Sequence, residues 1–261
     1  MKGVDPYSIN GAIANAKSQK KNVYILEHTI NRDGVVKLTD SIHRIPGRIR
    51  ICFKDGLILA EAVEQFGKLF GENLDFDALI FINTQIQNFP GFCEALGRCA
   101  SLSILSFTSC RLTDSDFESL NPILKKLIHL QTIDISHDHI GPVMFSNMCH
   151  ALCANSELES FHWNDNQLGD PAAFVELVKS VPSLRKVDLS GIILTDQWVE
   201  ALSQLLDESW QLCDVRVTDI TPTLRAKIDR NNMRNEMMRK GPSRRMAAYA
   251  IPDIDDIFDE F

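Results

Sequence analysis

The sequence predicts an α/β solenoid of about eight repeats, a curved array with parallel strands on its concave face and helices on its convex face. Three observations lead there. An apolar template with residues at offsets 0, 3, 5 and 10 recurs along the 261-residue chain. Its starts fall at positions 20, 48, 76, 102, 130, 158, 184 and 210, so the spacing is always 28 or 26 residues. After each template the apolar period changes from that of a strand to that of a helix. One such unit cannot bury its apolar side alone, and stacking makes the core continuous.

In chain order, residues 1–19 read as an N-terminal capping helix starting near Ser8, with Ile9, Ile13 and Ala16 inward. The array spans 20–220. Its first two templates have a polar first anchor and survive as Val23, Ile25, Ile30 and as Ile51, Phe53, Ile58. The next reads Phe76, Leu79, Phe81, Ile86. Then come Leu102, Leu105, Phe107, Leu112; Leu130, Ile133, Ile135, Ile140; Leu158, Phe161, Trp163, Leu168; and Leu184, Val187, Leu189, Leu194. The last is weak: Trp210, Cys213, Val215, Ile220. Offsets 3 and 5 alternate as a short strand pointing inward, which turns offsets 4 and 6 to the concave side. Helix starts follow. Asp170 reads as an N-cap with Pro171 at the first helical position, and Pro142 and the pair Thr221-Pro222 act similarly. Phe174, Leu177 and Val178 then recur at helical spacing. Residues 221–240 read as a C-terminal capping helix, with Leu224, Ile228 and Met233 covering the open end.

This template resembles the leucine-rich repeat, L-x-x-L-x-L-x-x-N/C-x-L, over roughly residues 20 to 235. The long period with a full helix per repeat is similar to the ribonuclease-inhibitor-like subfamily, to which Ran GTPase-activating proteins and tropomodulins belong. At offset 8 the family has Asn or Cys. Here Asn166 and Cys110 match, and His28, Gly56, Thr84, Asp138, Ile192 and Thr218 do not. The resemblance implies an incomplete ladder of side-chain hydrogen bonds.

The run "LESFHWNDNQL" looks chemical, and the repeat separates its parts. Phe161 and Trp163 are core, and Asn166 is the ladder residue. His162 and Asn164 point out of the concave face as exposed side chains. No nucleophile or orienting acid can be assigned beside His162, so it does not read as a catalytic base.

Composition narrows the function. The net charge is −8 with a pI near 5.4, unlike the basic face of a general nucleic-acid binder. No apolar run approaches the ~18 residues of a membrane span. The opening "MKGVDPYSINGAIANAKSQKK" has no apolar core of a secretory signal. Cys149 and Cys153 share a helical face beside His150, but no second pair accompanies them. The seven cysteines therefore read as reduced thiols packed as small apolar groups, not as a metal site, and the chain as cytoplasmic. The phosphate loops GxGxxG and GxxxxGK[ST] and the motifs HExxH and GxSxG are all absent from the sequence, so no cofactor and no enzymatic activity are expected.

Residues 221–251 carry eight Lys/Arg against two acids, and the last ten residues carry five acids. The stretch 241–261 reads as a flexible basic-then-acidic tail. "IPDIDDIFDEF" interleaves Ile254, Ile257, Phe258 and Phe261 with its acids, a pattern that docks by apolar anchors with charge steering. Its "DIF" and "DEF" resemble D-x-F adaptor motifs.

The expected function is a non-catalytic protein–protein interaction scaffold. Asp134, His162, Asn164, Asp188 and Asp214 would bind on the concave face, and Asp256, Phe258 and Phe261 in the tail. Three acids around His162 suit a protein partner with a basic patch, not a nucleic acid. The resemblance implies two alternatives: a GTPase-activating protein of the Ran activator type, or an actin-associated capping protein of the tropomodulin type.

Overall fold

The structure is a computed structural model that describes residues 8–17, 22–26, 29–43, 45–71 and 74–240. Its strands are β1 (Asn22–Leu26), β2 (Thr29–Ile30), β3 (Ile49–Lys54), β4 (Leu57–Ile58), β5 (Phe76–Ile82), β6 (Gln85–Ile86), β7 (Ile104–Thr108), β8 (Thr132–Ser136), β9 (Ser160–His162), β10 (Lys186–Leu189) and β11 (Asp214–Val217). Its helices are α1 (Ile9–Lys17), α2 (Arg32–Ile42), α3 (Ala60–Gly71), α4 (Phe89–Leu96), α5 (Asp114–Leu124), α6 (Pro142–Leu152), α7 (Pro171–Ser180), α8 (Asp196–Glu208) and α9 (Pro222–Lys240). One eight-stranded parallel sheet runs in the order β1-β3-β5-β7-β8-β9-β10-β11, and β2-β4-β6 form a small second sheet. Each helix packs on the next in single file, from α1 on α2 to α8 on α9. This is a solenoid with strands on one side and helices on the other.

Register follows the template. Val23 pairs with Ile51, Ile51 with Leu79, Leu79 with Leu105, Leu105 with Ile133 and Ile133 with Phe161, each at offset 3. At offset 5, Phe53, Phe81 and Phe107 stack with ring centroids 5.2 and 5.0 Å apart. Helical Phe66 and Phe92 meet this stack edge-on. Further along, Trp163 is wholly buried, edge-on to Phe117 and Phe145, and its indole N–H donates to the Gln167 carbonyl at 3.0 Å.

A left-handed residue follows β3, β5, β7, β8, β9 and β10 at offset 7: Asp55, Asn83, Ser109, His137, Asp165 and Gly191 all have positive φ. Gly191 carries no side chain at this position, where a Cβ would press on the Asp165 carboxylate as the two now stand. The next position forms the ladder. Asn166 Oδ1 accepts from the amides of Asp138 (3.2 Å) and Ile140 (3.0 Å), and its Nδ2 donates to the Ile135 carbonyl at 2.5 Å. Thr84, Cys110 and Asp138 keep the handover going without an amide. Thr84 Oγ1 lies 3.2 Å from the Phe53 carbonyl, Cys110 Sγ donates to that of Phe81, and Asp138 accepts from the Leu112 amide.

The helix starts are as the caps imply. Asp170 accepts from the Ala172 amide, and Thr221 from that of Leu224. Thr113 and Asp116 form a capping box at α5.

Three expectations about packing are corrected. The last repeat begins at Leu212, not Trp210. Val187 pairs with Val215, and the left-handed residue is Asp219, seven beyond Leu212. Leu212 is accordingly 0% exposed and Trp210 67%. In α9, Met233 points outward, and Asn231 joins Leu224 and Ile228 inside. Its Nδ2 lies within reach of the Leu206, Ser209 and Leu212 carbonyls, closing the turn below the last strand. In α1, Ala12 accompanies Ile9 inside and Ile13 is half-buried. The ladder position of His28 and the whole of 241–261 lie outside the described residues.

Candidate interaction surface

The concave face carries three side-chain rows across the strands. The middle row, at offset 4, reads Tyr24, Cys52, Ile80, Ser106, Asp134, His162, Asp188 and Arg216. One flanking row contains Arg50, Ala78, Ile104, Thr132, Ser160, Lys186 and Asp214. The other contains Lys54, Ile82, Thr108 and Ser136.

The shift of the last repeat moves Asp214 out of the middle row. It pairs with Lys186, and Arg216 takes the place beside Asp188. Arg216 Nη1 lies 3.7 Å from Asp188 Oδ2 and its Nε 3.5 Å from Asp214 Oδ1, while Lys186 Nζ lies 3.9 Å from Asp214. The end of the strip is therefore ion-paired, not uniformly acidic.

His162 does sit between Asp134 and Asp188, as the repeat requires, but it is not an exposed side chain. It is 6% exposed, and the two aspartates are as deeply buried. Strands ~4.8 Å apart hold neighbouring side chains flank to flank. Asp134 is the best-connected group. Ser136 Oγ donates to its Oδ1 at 2.5 Å and Thr108 Oγ1 to its Oδ2 at 3.1 Å, with Ser106 3.1 Å behind Thr108. Burial raises the Asp134 carboxyl above the usual carboxylate range, and the adjacent His162 and the two hydroxyl donors partly offset this. Asn164 is half-exposed, and with its amide turned to donate it reaches Asp188 Oδ1 at 3.1 Å and the Asp188 carbonyl at 2.8 Å. Asp188 Oδ1 also accepts from the Ser190 amide.

Toward β1 the chemistry changes. Cys52, Ala78, Ile80 and Ile104 form a buried apolar cluster separate from the main core, with Tyr24 and Ile82 packed against it. Burial pushes the Cys52 thiol up to about 12 despite nearby Lys54. Arg50 Nε binds Asp77 Oδ2 at 2.7 Å, and Arg48 Nη1 binds Asp77 Oδ1 at 2.9 Å. Asp77 is an extra residue in β5, since Ile49 pairs with Phe76 and Arg50 with Ala78. That bulge is what presents its carboxylate to both arginines. The sequence template passes over it because the anchor spacing absorbs the extra residue.

Among the described residues no cluster of three or more His, Cys, Asp or Glu could hold a metal ion. No helix among them is long and apolar enough to cross a membrane. Asp256, Phe258 and Phe261 lie outside the described residues.

No protein-family model matches the sequence, and no curated protein sequence matches it. Solved structures do. A tropomodulin C-terminal domain from Caenorhabditis elegans aligns at a TM-score of 0.36 and 10% identity, covering 89% of this chain and 98% of that one. Leiomodin-1 actin-binding site 2 aligns at 0.34 and 15%, covering 58% and 76%. An internalin from Listeria monocytogenes aligns at 0.39 and 11%, covering 83% and 86%. With TM-scores this low, the architecture rests on the chain's own strand order, register and ladder. It is a leucine-rich-repeat solenoid.

Proposed function

We propose that this chain is a non-catalytic interaction scaffold that binds a segment of a protein partner along its concave face. The observation that carries this reading is the continuous middle row from Tyr24 to Arg216, apolar at one end and charged at the other. An extended segment laid across the strands would place apolar anchors over Tyr24 and Ile82 and polar groups over Asn164 and Arg216. Asp134, His162 and Asp188 act as the hydrogen-bonded floor of that track. Because Lys186 and Arg216 pair with the acids, the partner needs mixed charge and not a purely basic patch. His162 lies between two carboxylates, with no activated nucleophile beside it among the described residues, which supports a binding role over a hydrolytic one. Seven free thiols support a reducing, cytoplasmic setting. The 26- and 28-residue spacings with a helix per repeat support the ribonuclease-inhibitor-like type of repeat.

The test is affinity capture with the full chain, comparing the parent with Leu26→Asp plus Arg216→Glu, two exposed concave positions. Val143→Asp, on exposed α6, is the control. Loss of the parent's partners in the concave variant alone is expected. An unchanged partner set in that variant removes the concave face as the interface. Recovery of actin or a small GTPase would identify the partner class.

A further inference from the structure

Asn166 completes the rim of the repeat before it, and the repeat after it offers nothing equivalent in return. Its Oδ1 accepts from the Asp138 and Ile140 amides, and the Gln167 amide donates to the Ile140 carbonyl at 3.0 Å. The same rim contact joins β2, β4 and β6, where the Leu59 amide donates to the Ile30 carbonyl and the Gln87 amide to that of Ile58. One repeat past Asn166 the ladder position is Ile192, whose side chain can neither accept nor donate. The amides of Asn166, Leu168 and Ile193 and the Leu168 carbonyl consequently have no hydrogen-bond partner among the described residues.

A cleft of about 620 Å³ opens at this gap, between the loops that lead into α7 and α8. Leu168, Gly169, Pro171, Gln197 and Trp198 line it. Ile193 stands at its edge 85% exposed, the most exposed large apolar side chain among the described residues. The walls are fixed: the Trp198 indole N–H donates to the Gly169 carbonyl at 2.9 Å, and Asp170 and Thr195 cap the two helices.

We propose that this cleft is a second interaction surface, on the rim and not on the concave strip, which takes an extended segment of a protein partner carrying an apolar residue next to a lysine or arginine. It goes beyond the concave reading and stands without it.

Three features select that occupant. The unfilled groups are main-chain N–H and C=O groups, with two of the amides at alternate positions, as on an open strand edge, and an extended backbone is what fills such an edge. The cleft has the size of ordinary binding sites, roughly 300–1,000 Å³, and Ile193 with Leu168 and Pro171 seats an apolar side chain. The surrounding loops, residues 164–171 and 190–198, hold Asp165, Asp170 and Asp196 and no Lys or Arg. Asp165 is paired with His137 at 2.7 Å, whereas Asp170 and Asp196 have no ion pair among the described residues. A cation beside the apolar anchor meets those two carboxylates and steers the segment in.

The probe is a displayed library of random short peptides selected on the full chain. Enriched peptides should share an apolar residue next to Lys or Arg. A synthetic peptide of enriched sequence should bind at least about tenfold more weakly to Ile193→Asp, as expected for one lost aliphatic contact. Asp170→Asn plus Asp196→Asn, which keeps a capping side chain on α7, should weaken it severalfold at low salt. Leu26→Asp plus Arg216→Glu should leave it unchanged. Hydrogen exchange of the Leu168 and Ile193 amides should slow at least about tenfold in the bound state. No enriched peptide, enrichment of acidic peptides, binding indifferent to Ile193→Asp, or amides left unprotected overturns the proposal. The concave reading fails separately, if partner capture is unaffected by the concave substitutions while the peptide still binds at Ile193.

Discussion

Asp138 stands where the neighbouring repeat has Asn166, and the difference of one atom sets its behaviour. Its Oδ1 accepts from the Leu112 amide as a ladder residue should, but its buried Oδ2 has no hydrogen-bond partner among the described residues. In Asn166 the corresponding atom is a nitrogen that donates to a carbonyl. Burial pushes the Asp138 carboxyl up to about 7, against the downward pull of the amides of Leu112, Arg111 and Cys110. A folded-state pKa above the unfolded value of 3.8 means that the native protein holds this proton more tightly. The contribution to stability is therefore complete below about pH 4 and is lost as pH rises through about 7. Asp138→Asn should stabilise the fold by about 1–3 kcal/mol at pH 8, the range for one unsatisfied buried polar atom, and by almost nothing near pH 4. Urea melts of both proteins at pH 4.5 and pH 8 measure this, and an equal difference at both values counts against it.

At the scale of one repeat, the last strand shows what the sequence makes legible and what it hides. The inward pairs Val23–Ile25 to Val187–Leu189 are readable because period-two alternation admits one register wherever one face is buried. In the final copy two registers compete. Trp210-Cys213-Val215 matches the large-anchor pattern and brings Ile220 to offset 10, whereas Leu212-Val215-Val217 is the pair of inward steps that the sheet uses. The turn residue was the missing signal: Asp219 continues the left-handed series Asp55, Asn83, Ser109, His137, Asp165, Gly191. The candidate site suffered for the same reason, since the slip of two residues replaced Arg216 by Asp214 in the middle row. The burial of His162 and the Asp77 bulge depend on neighbouring strands and have no local sequence signature. Leu212→Ala should cost about 2–5 kcal/mol, whereas Trp210→Ala should stay within about 0.5 kcal/mol. Chemical denaturation of the two variants checks the register, and the reverse ranking would restore Trp210 as the anchor.

Among the described residues the interlocked rings of the main core fall into two groups. Phe53, Phe66, Phe70, Phe76, Phe81, Phe89, Phe92 and Phe107 interlock in the first half, and Phe117, Phe145, Phe161, Trp163, Phe174 and Trp198 in the second. The junction between them, from β7 to β8, is bridged by Ile135 and the Leu112–Asp138 ladder step instead of rings. Native-state hydrogen exchange should resolve two protection levels that change at this junction, since stability in such arrays is a sum of repeat and nearest-neighbour terms. A single uniform opening free energy from β3 to β10 would contradict it.

The single file of helices, each packed chiefly on the ones before and after it, also determines how the molecule answers tension. Pulled by its two ends, the array shows no strong contact between distant elements among the described residues that would lock it. It would pay out chain coil by coil, starting from whichever outer turn is weakest. Each released turn would rewind onto the one beneath when the load falls. The protein is thus built as a spring as much as a surface.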